Sequence, residues 1–145
     1  MPVAEVFFDT NVLLYLGSSD VPKADTAETL LADGGHVSVQ VLNEFASAAI
    51  RKRALSWEGI ADVLGVVRTL CQVHPLTIET HDRARDMAQK YGFSFYDALI
   101  VAAALLADCG VLYSEELRSG QRIDQRLTVR NPFATPGSTG VFIRR

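Results

Sequence analysis

Four acidic positions interrupt apolar surroundings, where a carboxylate is costly unless it is paired or bound to a metal. Asp9 closes the run Phe7-Phe8, and Glu44 falls between Val41-Leu42 and Phe45-Ala46. Asp97 lies between Phe95-Tyr96 and Ala98-Leu99-Ile100-Val101, and Glu115-Glu116 follows the apolar Val111 to Tyr113. Brought together, such carboxylates suit one reaction class. Phosphodiester hydrolysis is slow because the anionic backbone repels a nucleophile, and divalent cations held by acids activate water and neutralise the charge. Magnesium takes hard oxygen ligands and keeps several waters, so a few carboxylates from separate elements suffice without His or Cys. Thr10 and Asn11, next to Asp9, can supply hydrogen bonds that orient its carboxylate or a bound water.

Each position also has an ordinary explanation. Asp9 could cap the following helix, Glu44 could face solvent, and Ser94-x-x-Asp97 resembles a capping box, although that box prefers Glu or Gln at its end. Glu115 and Glu116 are adjacent, so both cannot easily face one cleft. The four positions taken together, each at a strand end or near a helix start, favour a metal site.

The elements that would position these acids alternate between strand and helix. Val3 to Phe8 reads as a buried strand, Asn11 to Leu16 as a short helix ended by Gly17, and Pro22 to Asp33 as a helix stopped by Gly34-Gly35. A short strand at Val37 to Val39 leads into a helix from Val41 to Arg53 that carries Glu44. Apolar residues at helical spacing mark Trp57 to Cys71, followed by a strand over Val73 to Leu76 and an amphipathic helix from Thr80 to Tyr91. Ser94 to Asp108, apolar on nearly every side, predicts a central buried helix. Val111 to Tyr113 and Leu127 to Val129 read as the last strands. This alternation predicts an α/β fold with helices around a mostly parallel sheet, where ligands gather beyond the carboxyl ends of the strands.

The chain has 145 residues, 48% hydrophobic and 21% charged. That size suits a single domain spanning 1–145. No apolar run is long enough to cross a bilayer, and the N-terminus lacks the pattern of a secretory signal, so a cytoplasmic protein with no membrane partner is expected. Cys71 and Cys109 have no metal-binding or pairing pattern and are expected to be core thiols. His36, His74 and His81 fall in separate segments and are assigned no chemistry. The net charge of −3 conceals an asymmetry: residues 118–145 hold six arginines against one aspartate, while the body before them is acidic. Such arginines either form a solvated segment or grip the phosphates of a polyanion.

In these motifs, and in their order, the chain resembles the PIN-domain family over nearly its whole length, particularly its VapC-like toxin ribonucleases. Phe8-Asp9-Thr10-Asn11-Val12-Leu13-Leu14-Tyr15 resembles the opening motif, and Ser38-Val39-Gln40-Val41-Leu42-Asn43-Glu44-Phe45 resembles the second. Phe95-Tyr96-Asp97-Ala98-Leu99-Ile100-Val101 resembles the helix of the third acid, and Asn131-Pro132-Phe133 the closing signature. The fourth motif, Leu112-Tyr113-Ser114-Glu115-Glu116-Leu117, departs from the pattern, because aspartate is usual where Glu116 stands. The longer side chain displaces the carboxylate and puts a second metal position in doubt.

The resemblance implies a three-layer α/β/α sandwich and an endoribonuclease in which Asp9, Glu44, Asp97 and Glu116 hold Mg²⁺ or Mn²⁺, with Ser114 orienting a ligand or water. It further implies homodimerisation, a cognate VapB-like antitoxin, and structured RNA such as transfer or ribosomal RNA as substrate. Arg118, Arg122, Arg126 and Arg130 are the phosphate contacts expected on this basis.

Other classes fit less well. A non-catalytic PIN-like module that binds RNA or protein is compatible with the Glu116 departure. A phospho-accepting signalling domain needs a second acid near Asp9 and a late lysine, and no lysine follows Lys90. A phosphatase with a D-x-D nucleophile pair is disfavoured because position 11 is Asn.

Overall fold

A computed structural model describes residues 5–133. The expected strand start at Val3, most of the Asn131 to Gly140 stretch and the last two arginines lie outside the described residues. Six strands and six helices follow one another as β1 (Val6–Phe8), α1 (Thr10–Leu13), α2 (Val21–Ala32), β2 (Gly35–Ser38), α3 (Val39–Lys52), α4 (Trp57–Leu70), β3 (Cys71–His74), α5 (Ile78–Tyr91), α6 (Phe95–Leu106), β4 (Val111–Tyr113), β5 (Arg122–Ile123) and β6 (Leu127–Arg130).

The strands form one sheet in the order β3-β2-β1-β4-β6-β5. Every neighbouring pair is parallel except β5 with β6, which is antiparallel. The chain winds outward from β1 through β2 to β3 and then returns to the other flank of β1 as β4. Right-handed crossovers therefore place α2 to α4 on one face and α5 with α6 on the other, giving a three-layer α/β/α sandwich. Because the direction of winding reverses between β1 and β4, a crevice opens outside their carboxyl ends. Asp9 follows one of those ends and Ser114 the other.

The core joins Phe7 and Phe8 of β1, Leu112 of β4 and Val129 of β6 to the inner helices. Helix α6 is buried at every position from Ala98 to Leu105, which is why its sequence is apolar all round. One backbone approach is unusually close. A Cβ on Gly35 would lie 2.8 Å from Phe8 Cε2 and 2.9 Å from Val6 Cγ2, so the β1–β2 contact requires glycine there.

The predicted boundaries shift where end effects outweigh periodicity. Strand β3 starts at Cys71 rather than Val73, because Cys71 is buried and Leu76 is 43% exposed. Helix α5 starts at Ile78, earlier than expected, because Thr77 and Thr80 form a reciprocal capping box. Strand β5, only two residues long, carries too little pattern to be read from sequence.

Both cysteines are free and buried, and burial pushes the Cys71 thiol up to about 11 and that of Cys109 up to about 12. They are protonated and unreactive at neutral pH, as expected of core thiols. His36 and His74, distant in sequence, meet across the β2–β3 pair, with His36 Nδ1 and His74 Nε2 2.8 Å apart. The other His36 ring nitrogen is 2.6 Å from Glu5 Oε1. Among the described residues no helix is long and apolar enough to cross a membrane.

Candidate active site

Asp9 caps the following helix, one of the readings its sequence position allowed, and its second oxygen is held by the loop after β4. Its side chain caps α1, with Oδ1 accepting from the Thr10 amide at 2.7 Å. Its Oδ2 accepts from the Ser114 hydroxyl at 2.8 Å and from Asn11 Nδ2 at 3.1 Å. The backbone holds the same register, since the Asp9 amide donates to the Tyr113 carbonyl and extends the β1–β4 ladder. Ser114 is completely buried and also accepts from the amides of Glu116 and Leu117. Asn11 accepts from the Glu115 amide at 2.8 Å. The loop after β4 is therefore fastened to the loop after β1.

Glu44 arrives from α3, whose start is set by Ser38: its hydroxyl caps the helix by accepting from the Val41 amide. Thr10 Oγ1 donates to Glu44 Oε1 at 3.0 Å, and Gln40 Nε2 donates to Oε2 at 2.9 Å. Gln40 is not singled out by the sequence, although a Gln and a Glu four residues apart on a helix are a known pair. Asp97 lies in the first turn of α6, where Ser94 accepts from its amide.

Asp9, Glu44, Asp97 and Glu116 line a single cavity of about 220 Å³. Glu115 is engaged elsewhere. It accepts from Tyr15 at 2.7 Å and from Lys23 at 2.6 Å, so of the adjacent pair only Glu116 reaches this cavity. The cavity also receives Arg51 and Lys52 from the last turn of α3, two cations that sequence reasoning missed. Their signal is the helical spacing from Glu44 through Ser47 to Arg51 and through Ala48 to Lys52, which becomes visible only once the site-facing side of α3 is known.

Burial raises the Asp9 carboxyl to about 7, and the charges of Asp97 and Glu44 add to the rise, against lowering by the Ser114 and Thr10 hydrogen bonds. Among the described residues, none of the four acids is in an ion pair with Lys or Arg. A buried carboxylate crowded by two others and given no cation of its own suits a divalent metal with oxygen ligands. Among the described residues no three His, Cys, Asp or Glu side chains stand close enough together to hold a metal ion, so an ion here would take fewer side-chain ligands and more water. Mg²⁺, which keeps several waters and binds through one or two carboxylates, is compatible with so sparse a set, whereas a transition metal that needs His or Cys ligands is not.

The four arginines expected to contact phosphate do not share one place. Arg130 pairs with Tyr113 at the carboxyl end of the sheet, and Arg118 is exposed in the loop after β4. Arg126 instead binds Asp108 and the Leu105 carbonyl, and Arg122 binds the Gln125 carbonyl. Both lie at the edge where the parallel strands begin, opposite the acids, because the antiparallel β5 carries the chain back there. Of the four arginines expected to contact phosphate, the fold thus brings neither Arg122 nor Arg126 beside the acids.

A Rossmann-like winding with acids at the β1/β4 crevice defines the class, and the sequence identifies the family. Residues 6–118 match the PIN domain model, and the chain belongs to that family. No curated protein matches the sequence. Among solved structures, VapC20 from Mycobacterium tuberculosis, described as a Sarcin-Ricin loop cleaving toxin, is similar with a TM-score of 0.64 and 20% identity, over 77% of this chain and 90% of its own. A toxin-antitoxin complex from Klebsiella pneumoniae gives 0.67 at 19% identity, over 88% and 98%. VapBC2 from Rickettsia felis, bound to a DNA fragment from its promoter, gives 0.63 at 16%, over 87% and 97%.

Proposed function

We propose that this chain is a metal-dependent endoribonuclease, the toxin of a toxin-antitoxin pair, that hydrolyses phosphodiester bonds in structured RNA such as transfer or ribosomal RNA. The observation that carries the reading is the convergence of Asp9, Glu44, Asp97 and Glu116 on one cavity without a cationic partner among the described residues. These four would hold Mg²⁺, with Mn²⁺ as a ligand-compatible substitute. When bound, the metal supplies an activated water and neutralises charge on the phosphate.

The chain's own contribution is positioning. Ser114, Asn11 and the Thr10 amide fix both oxygens of Asp9, while Thr10 and Gln40 fix those of Glu44, before any substrate arrives. Such fixed orientation lowers the reorganisation needed during in-line attack of water on phosphorus. Structural likeness to toxin-antitoxin complexes supports a VapB-like antitoxin partner. Homodimerisation and a cytoplasmic location belong to the same reading.

The test is cleavage of total RNA by the purified, partner-free chain with Mg²⁺, Mn²⁺ or EDTA, beside folded Asp9→Asn and Asp97→Asn variants. Discrete fragments that require metal and both aspartates are expected. Metal and RNA binding with no cleavage under any condition would replace this reading with a non-catalytic RNA-binding module.

A further inference from the structure

The acid-lined cavity does not end at the acids. A second cavity of about 400 Å³ adjoins it, and Asn11, Leu14, Lys52 and Glu116 belong to the walls of both. We infer that the two form one continuous RNA groove in which Arg51 and Lys52 contact backbone phosphates, and in which the outer lobe takes the nucleotide next to the cut bond. The inference deepens the ribonuclease reading and rests on it.

Three observations carry it. First, a polyanion approaching four carboxylates is repelled unless fixed cations lie along its path. Arg51 and Lys52 are the Lys and Arg side chains that line the acid cavity, and Lys52 also lines the outer one. Second, both are exposed, and neither is in an ion pair among the described residues, whereas Lys23, Lys90 and Arg126 are each bound to an acid. Cations commonly occur in the last turn of a helix because they complement its dipole. That preference explains a basic residue at this end of α3, but not two of them on the wall of the acid cavity.

Third, the outer lobe has the mixed lining a nucleoside needs. Leu14 and Tyr15 supply an apolar surface and Ser18 and Ser19 hydroxyls, while Lys52 and Arg53 share the wall with the acids Asp20, Glu115 and Glu116. The rim is held in place, because the Arg53 guanidinium donates to the Leu14 carbonyl and ties the end of α3 to the segment after α1. Arg122 and Arg126, at the opposite edge of the sheet, cannot serve the same groove.

The test measures binding of labelled transfer RNA to the full chain in EDTA, where cleavage is blocked, across a range of salt concentrations. The double variant Arg51→Ala/Lys52→Ala should bind about tenfold or more weakly, and its salt slope should fall by roughly the value of two phosphate contacts. Lys52→Arg should restore most of the loss due to Lys52. Arg122→Ala/Arg126→Ala should leave both quantities unchanged. Calorimetry with Mn²⁺ alone should give the double variant a metal affinity no weaker than that of the parent, which separates a phosphate contact from damage to the acids. Ser19→Trp, which fills the outer lobe, should raise KM for RNA while leaving Mn²⁺ affinity intact.

Unchanged RNA affinity and salt slope in Arg51→Ala/Lys52→Ala would overturn the groove assignment, and an unchanged KM in Ser19→Trp would overturn the role of the outer lobe. Failure of the ribonuclease reading is seen separately, as absence of metal-dependent cleavage by the parent chain.

Discussion

The Ser114 hydroxyl donates to Asp9 Oδ2 at 2.8 Å, joining residues 105 positions apart in the sequence. Ser114 is completely buried, and the same oxygen accepts from two amides of the loop that delivers Glu116. A single hydroxyl thus sets the position of one acid and the path of another.

Ser114→Ala should therefore weaken metal binding more than it weakens folding. Loss of a hydrogen bond to a ligating carboxylate commonly costs about 10- to 100-fold in metal affinity. Calorimetric titration with Mn²⁺, beside circular dichroism to verify folding, would check this. An unaltered affinity would mean that Asp9 needs no help from Ser114.

The metal-free protein should lose stability as pH rises from about 4 to 7. Asp9 titrates near 7 in the folded chain against 3.8 for the free side chain. Across that window the native state holds a proton that the unfolded chain has released, so the slope of stability with pH is negative. The resulting destabilisation above pH 7 is on the order of 4 kcal/mol. Asp9→Asn should flatten this part of the profile and melt higher than the parent at pH 8 in EDTA. Thermal melts of both proteins at pH 5 and pH 8 would decide it.

Glu115 and Glu116, though adjacent, should behave differently. Glu116→Gln should lower Mn²⁺ affinity with little change in stability. Glu115→Gln should leave metal binding intact and cost about 1 kcal/mol in urea unfolding, because Lys23 and Tyr15 lose a charged partner at a partly exposed site. The opposite pattern would place the wrong glutamate in the cavity.

Gly35→Ala should destabilise the fold by about 1–3 kcal/mol through overpacking against β1. Its Cβ would meet the Val6 backbone carbonyl as well as the Phe8 ring, so side-chain rotation alone cannot relieve the clash. Urea unfolding would measure the loss.

Asp9, Glu44 and Asp97 were legible because each breaks an apolar run, and a broken run is visible without knowledge of the fold. The parallel sheet was legible for the same reason: short apolar segments alternated with helical periods. Arg51 and Lys52 were not, because basic residues at the end of a helix have an ordinary role there. Only the packing of α3 beside α1 reveals that they share a wall with the acids. The position of Arg122 and Arg126 away from the acids was not legible either, because β5, whose two residues turn the chain back on itself, carries no periodic signal.

Helix α3 also acts as a measuring rod. Glu44 and Lys52 stand eight residues apart on one unbroken helix, an axial offset of about 12 Å. Both ends are anchored, Glu44 by Thr10 and the far end by the Arg53 link to Leu14. On the ribonuclease reading, the backbone interval between the acids and this cation is therefore set by the hydrogen-bonded helix, and only the exposed Lys52 side chain can adjust to the substrate. If RNA is the substrate, the spacing of its phosphates would then govern selection even where no base is read.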